Sequence, residues 1–214
     1  MPGKNIRPLV GRPLIGWTIG AARACDAIDA VLVSTDADDI AKIARAEGVE
    51  VAMRPDSLAT DTATSADVVR HHLAEWAAAG RDYDALVLLQ PTSPLRTAED
   101  ISRAVAALFA DDLDSLASFT DAATHPQTAW RIEDGTPKPF LPDQSWVRRQ
   151  DLEPAYTLNG AVYVVRADRF PSEGSSFLFG KTGAYVMPPE RSVDIDTLEG
   201  FLWCEFILGR EAKA

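Results

Sequence analysis

The sequence predicts an α/β fold built on a mostly parallel sheet. Short apolar runs alternate with longer segments of helical period, the signature of βαβ units. The 214 residues suit a single domain, 1–214, with one inserted excursion. No window holds about 18 consecutive apolar residues, so none of the apolar segments is a membrane span.

The elements follow in order. Leu14 to Ala24 carries apolar residues at helical spacing. Ala30 to Val33 is a short strand run ending in Ser34-Thr35-Asp36. Asp38 to Glu47 reads as a helix stopped by Gly48, and Val49 to Met53 as a strand ended by Arg54-Pro55. Ser65 to Ala79 is helical and stops at Gly80. Ala85 to Leu89 is a buried strand, followed by the stiff turn Gln90-Pro91-Thr92-Ser93-Pro94. Thr97 precedes a helical run to Ala110, with Asp100 as its capping partner. Ser115 to Phe119 is a further strand.

From Asp121 to Leu158 the pattern changes. Five prolines and two tryptophans interrupt any helical period, so the stretch reads as a sheet-rich excursion. Asn159 to Val165 and Ala184 to Met187 resume as strands. Val193-Asp194-Ile195-Asp196 then leads into a last helix, Thr197 to Leu208. In open α/β sheets ligands bind beyond the carboxyl ends of the strands. The residues just after Val33, Met53, Leu89 and Phe119 are therefore the first candidates for a site.

Composition narrows the function. A hydrophobic content of 46% with 25% charged residues belongs to a folded chain, not a disordered one. The formal charge of −11 speaks against a nucleic-acid-binding surface, which needs clustered Lys and Arg. A nucleotide needs only a few local cations. Cys25 and Cys204 sit in apolar surroundings, far apart, and read as buried thiols. His71, His72 and His125 read as surface or interface groups, because adjacent helical histidines point in different directions. Met1 to Asn5 lacks the apolar core of a signal peptide, which gives a cytoplasmic expectation.

Several short segments could carry chemistry. Gly3-Lys4-Asn5 would let backbone N–H groups approach a phosphate beside a lysine charge, or it is simply a frayed end. Asp194 and Asp196 flank an isoleucine. On an extended segment they face one side, where a divalent cation could sit with Ile195 in the core; the alternative is an Asp helix cap. Gln90 offers a donor and an acceptor at a carboxyl edge, or belongs to plain turn chemistry. Arg148-Arg149-Gln150 suits a carboxylate or phosphate, or is a solvated pair. Phe177-Leu178-Phe179 could wall an apolar patch of a site, or pack in the core.

Taken together, these segments resemble the acylneuraminate cytidylyltransferases, also called CMP-sialic acid synthetases. The likeness runs through Pro2-Gly3-Lys4-Asn5-Ile6, Ser34-Thr35-Asp36, 54–61 (Arg54-Pro55 to Asp61), 88–96 (Leu88 to Arg96), Arg149-Gln150-Asp151, Asn159 to Tyr163 and Ser192 to Asp196. The resemblance implies a Rossmann-like nucleotide-diphospho-sugar transferase fold with a mixed, mostly parallel sheet. It implies transfer of CMP from CTP to a nine-carbon 2-keto sugar acid with release of pyrophosphate, Mg²⁺ as cofactor, and a homodimer reached by the 121–158 excursion. Legionaminic, pseudaminic and deoxy-octulosonic acids are alternative acceptors, and a non-catalytic nucleotide- or sugar-binding protein is an alternative of another class.

Carried over by position, Lys4 and Asn5 would contact the CTP phosphates and nucleoside, and Arg54 and Ser65 would hold the nucleotide. Gln90 would meet the sugar acid. Arg149, Gln150, Tyr156 and Asn159 would line the sugar side, with Phe177 and Phe179 near its acyl substituent. Asp194 and Asp196 would hold the metal. Family members open with a strand and an Arg-x-Gly-Ser-Lys-Gly loop ahead of the Pro2-Gly3-Lys4-Asn5 segment. Here the sequence opens at that segment, so the expectation is a mis-assigned start codon or a truncated chain.

Overall fold

The computed structural model describes residues 3–60, 62–141 and 148–211. A 3₁₀ turn at Lys4–Ile6 leads into a two-residue ribbon, β1 (Pro8–Leu9) against β2 (Arg12–Pro13). Then follow α1 (Leu14–Arg23), β3 (Leu32–Thr35), α2 (Asp38–Ala46), β4 (Glu50–Met53), α3 (Ser65–Ala78), β5 (Ala85–Leu88), α4 (Ala98–Ala110) and β6 (Ser115–Asp121). A hairpin of β7 (Trp130–Glu133) and β8 (Thr136–Pro139) precedes β9 (Tyr156–Arg166), β10 (Thr182–Val186) and α5 (Leu198–Glu211).

The alternating pattern thus produces the α/β fold the sequence predicts. Helix starts are set by local chemistry. Thr97 and Asp100 form a reciprocal capping box: the Thr97 amide donates to Asp100 Oδ2 at 2.9 Å, and the Asp100 amide to Thr97 Oγ1 at 3.2 Å. Thr64 and Asp67 do the same for α3. Those bonds, with Arg70, pull the Asp67 carboxyl down to about 2.

Several boundaries differ from the sequence reading: β10 starts at Thr182 and not Ala184, β6 runs on to Asp121, and two further shifts follow from register. β3 lies two residues later than expected, because its register with β4 pairs Ser34 with Ala52 and Thr35 with Met53. β9 begins at Tyr156, not Asn159, because Tyr156 pairs with Asp121 and Leu158 with Phe119. The register between β6 and β9 then slips around Ser118. The Ser118 hydroxyl bridges the slip, accepting from the Val162 amide at 2.8 Å and lying 2.6 Å from Asn159 Oδ1.

Four strands form one sheet in the order β10-β6-β9-β5, and β3 and β4 form another. β10 is parallel to β6, while β9 is antiparallel to both its neighbours. Arg81, just before β5, pairs with Glu50, the first residue of β4, at 2.9 Å. The two sheets therefore start at the same end, and β3 and β4 run in the direction of β5. Among the described residues no strand joins β3 to β5.

The core has three parts. Ile101, Ala104 and Leu108 of α4 pack on Leu116, Val162 and Val164. Leu9, Leu14 and Leu95 pack on Ile195, Phe201 and Cys204. Ile15 and Ile19 of α1 meet Ala44, Val33 and Val51. Cys25 and Cys204 are free and buried, as their apolar surroundings suggest. Burial, with the charge of Asp194, pushes the Cys204 thiol up to about 12. Among the described residues no helix is long and apolar enough to cross a membrane.

Candidate active site

The site forms where the carboxyl ends of β3 and β5 meet the first turn of the chain and the segment before α5. Ile195 is fully buried while Asp194 and Asp196 on either side are exposed. That is the alternation an extended segment imposes. The Ile195 amide donates to the Thr92 carbonyl at 2.8 Å, which fastens the two aspartates to the turn after β5. Lys4 reaches the same place: its Nζ lies 2.9 Å from Asp196 Oδ1 and 3.0 Å from the Ile195 carbonyl. The ammonium holds the Asp196 carboxyl below its ordinary range, and Asp194 adds a hydrogen bond. Two carboxylates and one ammonium from opposite ends of the chain thus share one corner.

Two cavities open beside this corner. The larger, about 560 Å³, is lined at its polar end by Asn5, Ser34, Arg54, Ser65 and Gln90. Arg54 donates through Nη2 to Asp36 at 2.7 Å. Its Nε, like Asn5 Oδ1, is buried without a hydrogen-bond partner among the described residues. Such atoms cost free energy until something meets them. The smaller cavity, about 300 Å³, is lined by Ser65, Gln90, Leu158, Tyr163, Ser176 and Phe177. Ser65 and Gln90 border both.

Gln90 is set by its surroundings. Gly160 adopts φ +70°, and a Cβ there would stand 2.5 Å from Gln90 Oε1. Only glycine both takes that backbone and leaves room for the amide. Arg96 fixes the turn from behind: it is buried, donates through Nε to the Ala161 carbonyl at 2.8 Å and through Nη2 to the Gln90 carbonyl. Burial pushes this guanidinium down to about 9, with Asp100 opposing.

The structure brings together Asn5, Arg54, Ser65 and Gln90 at one cavity, Phe177 at the other, and Lys4, Asp194 and Asp196 at the corner. The remaining sequence candidates are placed differently. Asn159 is buried and its amide is used internally: Nδ2 donates to Ser192 Oγ at 3.0 Å, and Oδ1 accepts from the Ala161 amide at 3.2 Å. It supports the β6–β9 irregularity behind Gly160. Phe179 packs edge-on against Phe170 at 5.6 Å, whereas Phe177 lies against Tyr163 at 5.6 Å. Tyr156 is exposed at the start of β9. Gln150 is exposed in a 3₁₀ turn, Arg149–Asp151; the Arg149 side chain lies outside the described residues. Arg148 is exposed and donates to Asp151 at 2.7 Å.

The histidine reading needs correction. His72 is buried, not superficial, with Nε2 2.9 Å from Ser34 Oγ and Nδ1 3.2 Å from Glu75 Oε2. The His71 Nε2 also approaches Glu75 Oε2, at 3.3 Å, so the adjacent rings converge on one carboxylate. Tyr163 and Arg96 were not singled out from the sequence. Tyr163 is the one aromatic in the valine run 161–165, which is the signal for it. Arg96 gives none, since a charge after a Pro-Leu turn ordinarily faces water.

The architecture recurs in solved structures. It superimposes on a CMP:2-keto-3-deoxy-manno-octonic acid synthetase complexed with CTP, with a TM-score of 0.70 and 15% identity, covering 99% of this chain and 93% of that one. A 4-diphosphocytidyl-2C-methyl-D-erythritol synthase gives 0.67 and 14%, covering 96% and 94%. At that identity the likeness concerns the fold. Sequence goes further: residues 1–134 match the Cytidylyltransferase family model, and the chain belongs to that family. An N-acylneuraminate cytidylyltransferase of Streptococcus agalactiae is 35% identical over 205 residues, covering 94% of this chain and 48% of that protein. A CMP-N,N'-diacetyllegionaminic acid synthase of Legionella pneumophila is 34% identical over 207 residues, covering 92% and 85%. The chain thus spans about half the length of the N-acylneuraminate cytidylyltransferases it matches.

Proposed function

We propose that the protein transfers CMP from CTP to the C2 hydroxyl of a nine-carbon 2-keto sugar acid of the N-acylneuraminate type and releases pyrophosphate. The observation that carries this reading is the corner made by Lys4, Asp194 and Asp196, fastened by Ile195 to the turn that bears Gln90. An acidic protein that must assemble a triphosphate and a sugar carboxylate has to place its few cations locally. Lys4 faces the leaving pyrophosphate. Arg54 and Asn5 offer buried, unpartnered polar atoms to the nucleotide, and Ser65 stands between the two cavities. Gln90 presents its amide to the acceptor, whose acyl group lies along Phe177 and Tyr163.

Asp194 and Asp196 fit Mg²⁺ by chemistry. They are exposed, hard oxygen donors on one side of a fixed segment, and Mg²⁺ is held by one or two carboxylates plus phosphate oxygens and water. When bound, the ion neutralises phosphate charge and makes the α-phosphorus a better electrophile. Homodimer formation through the excursion is supported by its exposed apolar side chains: Ile132 and Phe140 are 66% and 63% exposed.

A second acceptor, a diacetylated legionaminic acid, is favoured by the Legionella relative, which this chain nearly matches in length. The test is a pyrophosphate-release assay with CTP, Mg²⁺ and a panel of nine-carbon acids plus deoxy-octulosonic acid. Turnover with an N-acylneuraminate supports the reading. Turnover with legionaminic acid alone moves it to the second acceptor. CTP binding by calorimetry with no release from any acid overturns it in favour of a binding protein.

A further inference from the structure

Among the described residues one group of three metal-ligating side chains stands together: His71, His72 and Glu75 of α3. None of them belongs to the corner at Lys4, Asp194 and Asp196. Sequence spacing makes the group. Glu75 follows His71 by four residues and His72 by three, and positions three and four apart on a helix are neighbours. One carboxylate therefore reaches both rings. His72 Nδ1 lies 3.2 Å and His71 Nε2 3.3 Å from the same oxygen, Glu75 Oε2. Donors bound to a tetrahedral ion stand roughly 3.3–3.5 Å apart, so both edges have nearly the length an ion would set. The three donor atoms all lie within 4.8 Å of one another, and the half-exposed His71 ring can rotate to shorten the remaining edge.

The surroundings suit an ion as well. His72 Nε2 lies 2.9 Å from Ser34 Oγ. With Nε2–H donated to that hydroxyl, the Nδ1 lone pair faces Glu75, which is the tautomer a metal needs. Trp76 stacks on the His72 ring, with 6.0 Å between centroids and 27° between planes, and so holds its orientation. His72 is buried while His71 and Glu75 reach solvent. The site thus has a fixed floor and an entry path. Arg54 brings positive charge toward His72, but its guanidinium is committed to Asp36 at 2.7 Å. Cys25 and Cys204 are buried and offer a soft ion no competing thiolate.

We propose that His71, His72 and Glu75 form a metal site separate from the Asp194–Asp196 corner, one that takes a divalent transition ion such as Zn²⁺ with water completing the coordination. Two imidazoles and one carboxylate suit Zn²⁺, Ni²⁺ or Cu²⁺, whereas Mg²⁺ prefers oxygen throughout. The role of the site is structural. Through His72 and Ser34 the ion ties α3 to the end of β3, and α3 begins at Ser65, which borders both cavities.

The inference is independent of the catalytic reading, since its test needs no turnover. The untagged 214-residue chain is stripped with a chelator and titrated with ZnCl₂ in the absence of CTP. Its three histidines, His71, His72 and His125, are followed by long-range ¹H–¹⁵N NMR. The expected result is a shift of the His71 Nε2 and His72 Nδ1 resonances with His125 unmoved, and no such shift with the same concentration of Mg²⁺. The Asp194→Asn/Asp196→Asn double variant removes the other carboxylate pair and should show the same histidine shifts. Zinc affinity by calorimetry in that background should fall about 10–100-fold for Ser34→Ala, as loss of a ligand's hydrogen-bond partner does. It should fall at least as far for His71→Ala and Glu75→Gln, which alter solvent-facing side chains and leave the core intact. Histidine resonances that do not respond to Zn²⁺, a response of His125 equal to theirs, an equal response to Mg²⁺, or zinc affinity unchanged in Glu75→Gln would overturn the proposal.

Discussion

Lys4 Nζ lies 2.9 Å from Asp196 Oδ1 although 192 positions separate them. The contact closes the first turn of the chain onto the segment before α5, and it is largely solvent-facing, with Asp196 73% exposed. Exposed pairs contribute little to stability. Lys4→Met and Asp196→Asn should therefore leave the thermal midpoint nearly unchanged. Under the proposed chemistry each should slow pyrophosphate release about 10²–10³-fold, as loss of one preorganised charge at a developing anion does. Variants that lose the fold but keep specific activity in the folded fraction would contradict this division.

Gly160 and Gln90 form a second tight relationship. Gly160→Ala places a methyl group 2.5 Å from Gln90 Oε1 on a backbone with φ +70°. Left-handed backbone at a non-glycine costs about 1–2 kcal/mol, and Gln90 must also move. Urea denaturation should show at least that loss. Because Gln90 borders both cavities, KM for the acceptor should rise as well. Gln90→Ala in the Gly160→Ala background should recover part of the stability and none of the activity.

Arg96 holds the Gln90 and Ala161 carbonyls from a buried position. Arg96→Leu leaves both carbonyls without their charged donor and should cost about 2–3 kcal/mol. Arg96→Lys should recover little of it, since a single ammonium head does not reproduce the guanidinium fork. The midpoint of urea unfolding for the three proteins decides this.

Much of this arrangement was legible in the sequence. The elements follow from period and capping, and the Thr97 box stands where Thr97 and Asp100 predict it. The Asp194/Asp196 alternation needs only the geometry of extended chain, and Ile195 is buried as that geometry requires. What did not show was anything set by register. The slip between β6 and β9 turns Asn159 inward to Ser192 and Ser118, and no local pattern in 156–165 announces it. Its trace is Gly160, whose need for positive φ is visible only once Gln90 is laid across it. Arg96 is illegible for a related reason: its partners are carbonyls supplied by distant backbone. Residues 142–147, inside the predicted excursion, lie outside the described structure.

His72 supplies a pH test of the same wall. It is buried between Ser34, Glu75 and Trp76, and Arg54 and His71 add positive charge nearby. Burial lowers its pKa below the ordinary 6.5, with the Glu75 hydrogen bond acting against it. The folded protein thus binds a proton less readily than the unfolded chain. As pH falls below 6.5 the unfolded state takes up protons first, so stability declines until the folded value is reached and then levels. The slope that one histidine contributes is at most about 1.4 kcal/mol per pH unit. Denaturant unfolding followed from neutral pH downward through the unfolded value should show this fall in the wild-type protein. His72→Gln, which keeps a polar head of similar reach without a titrating group, should flatten the His72 share of the slope. An unchanged slope in that variant would place the titration elsewhere.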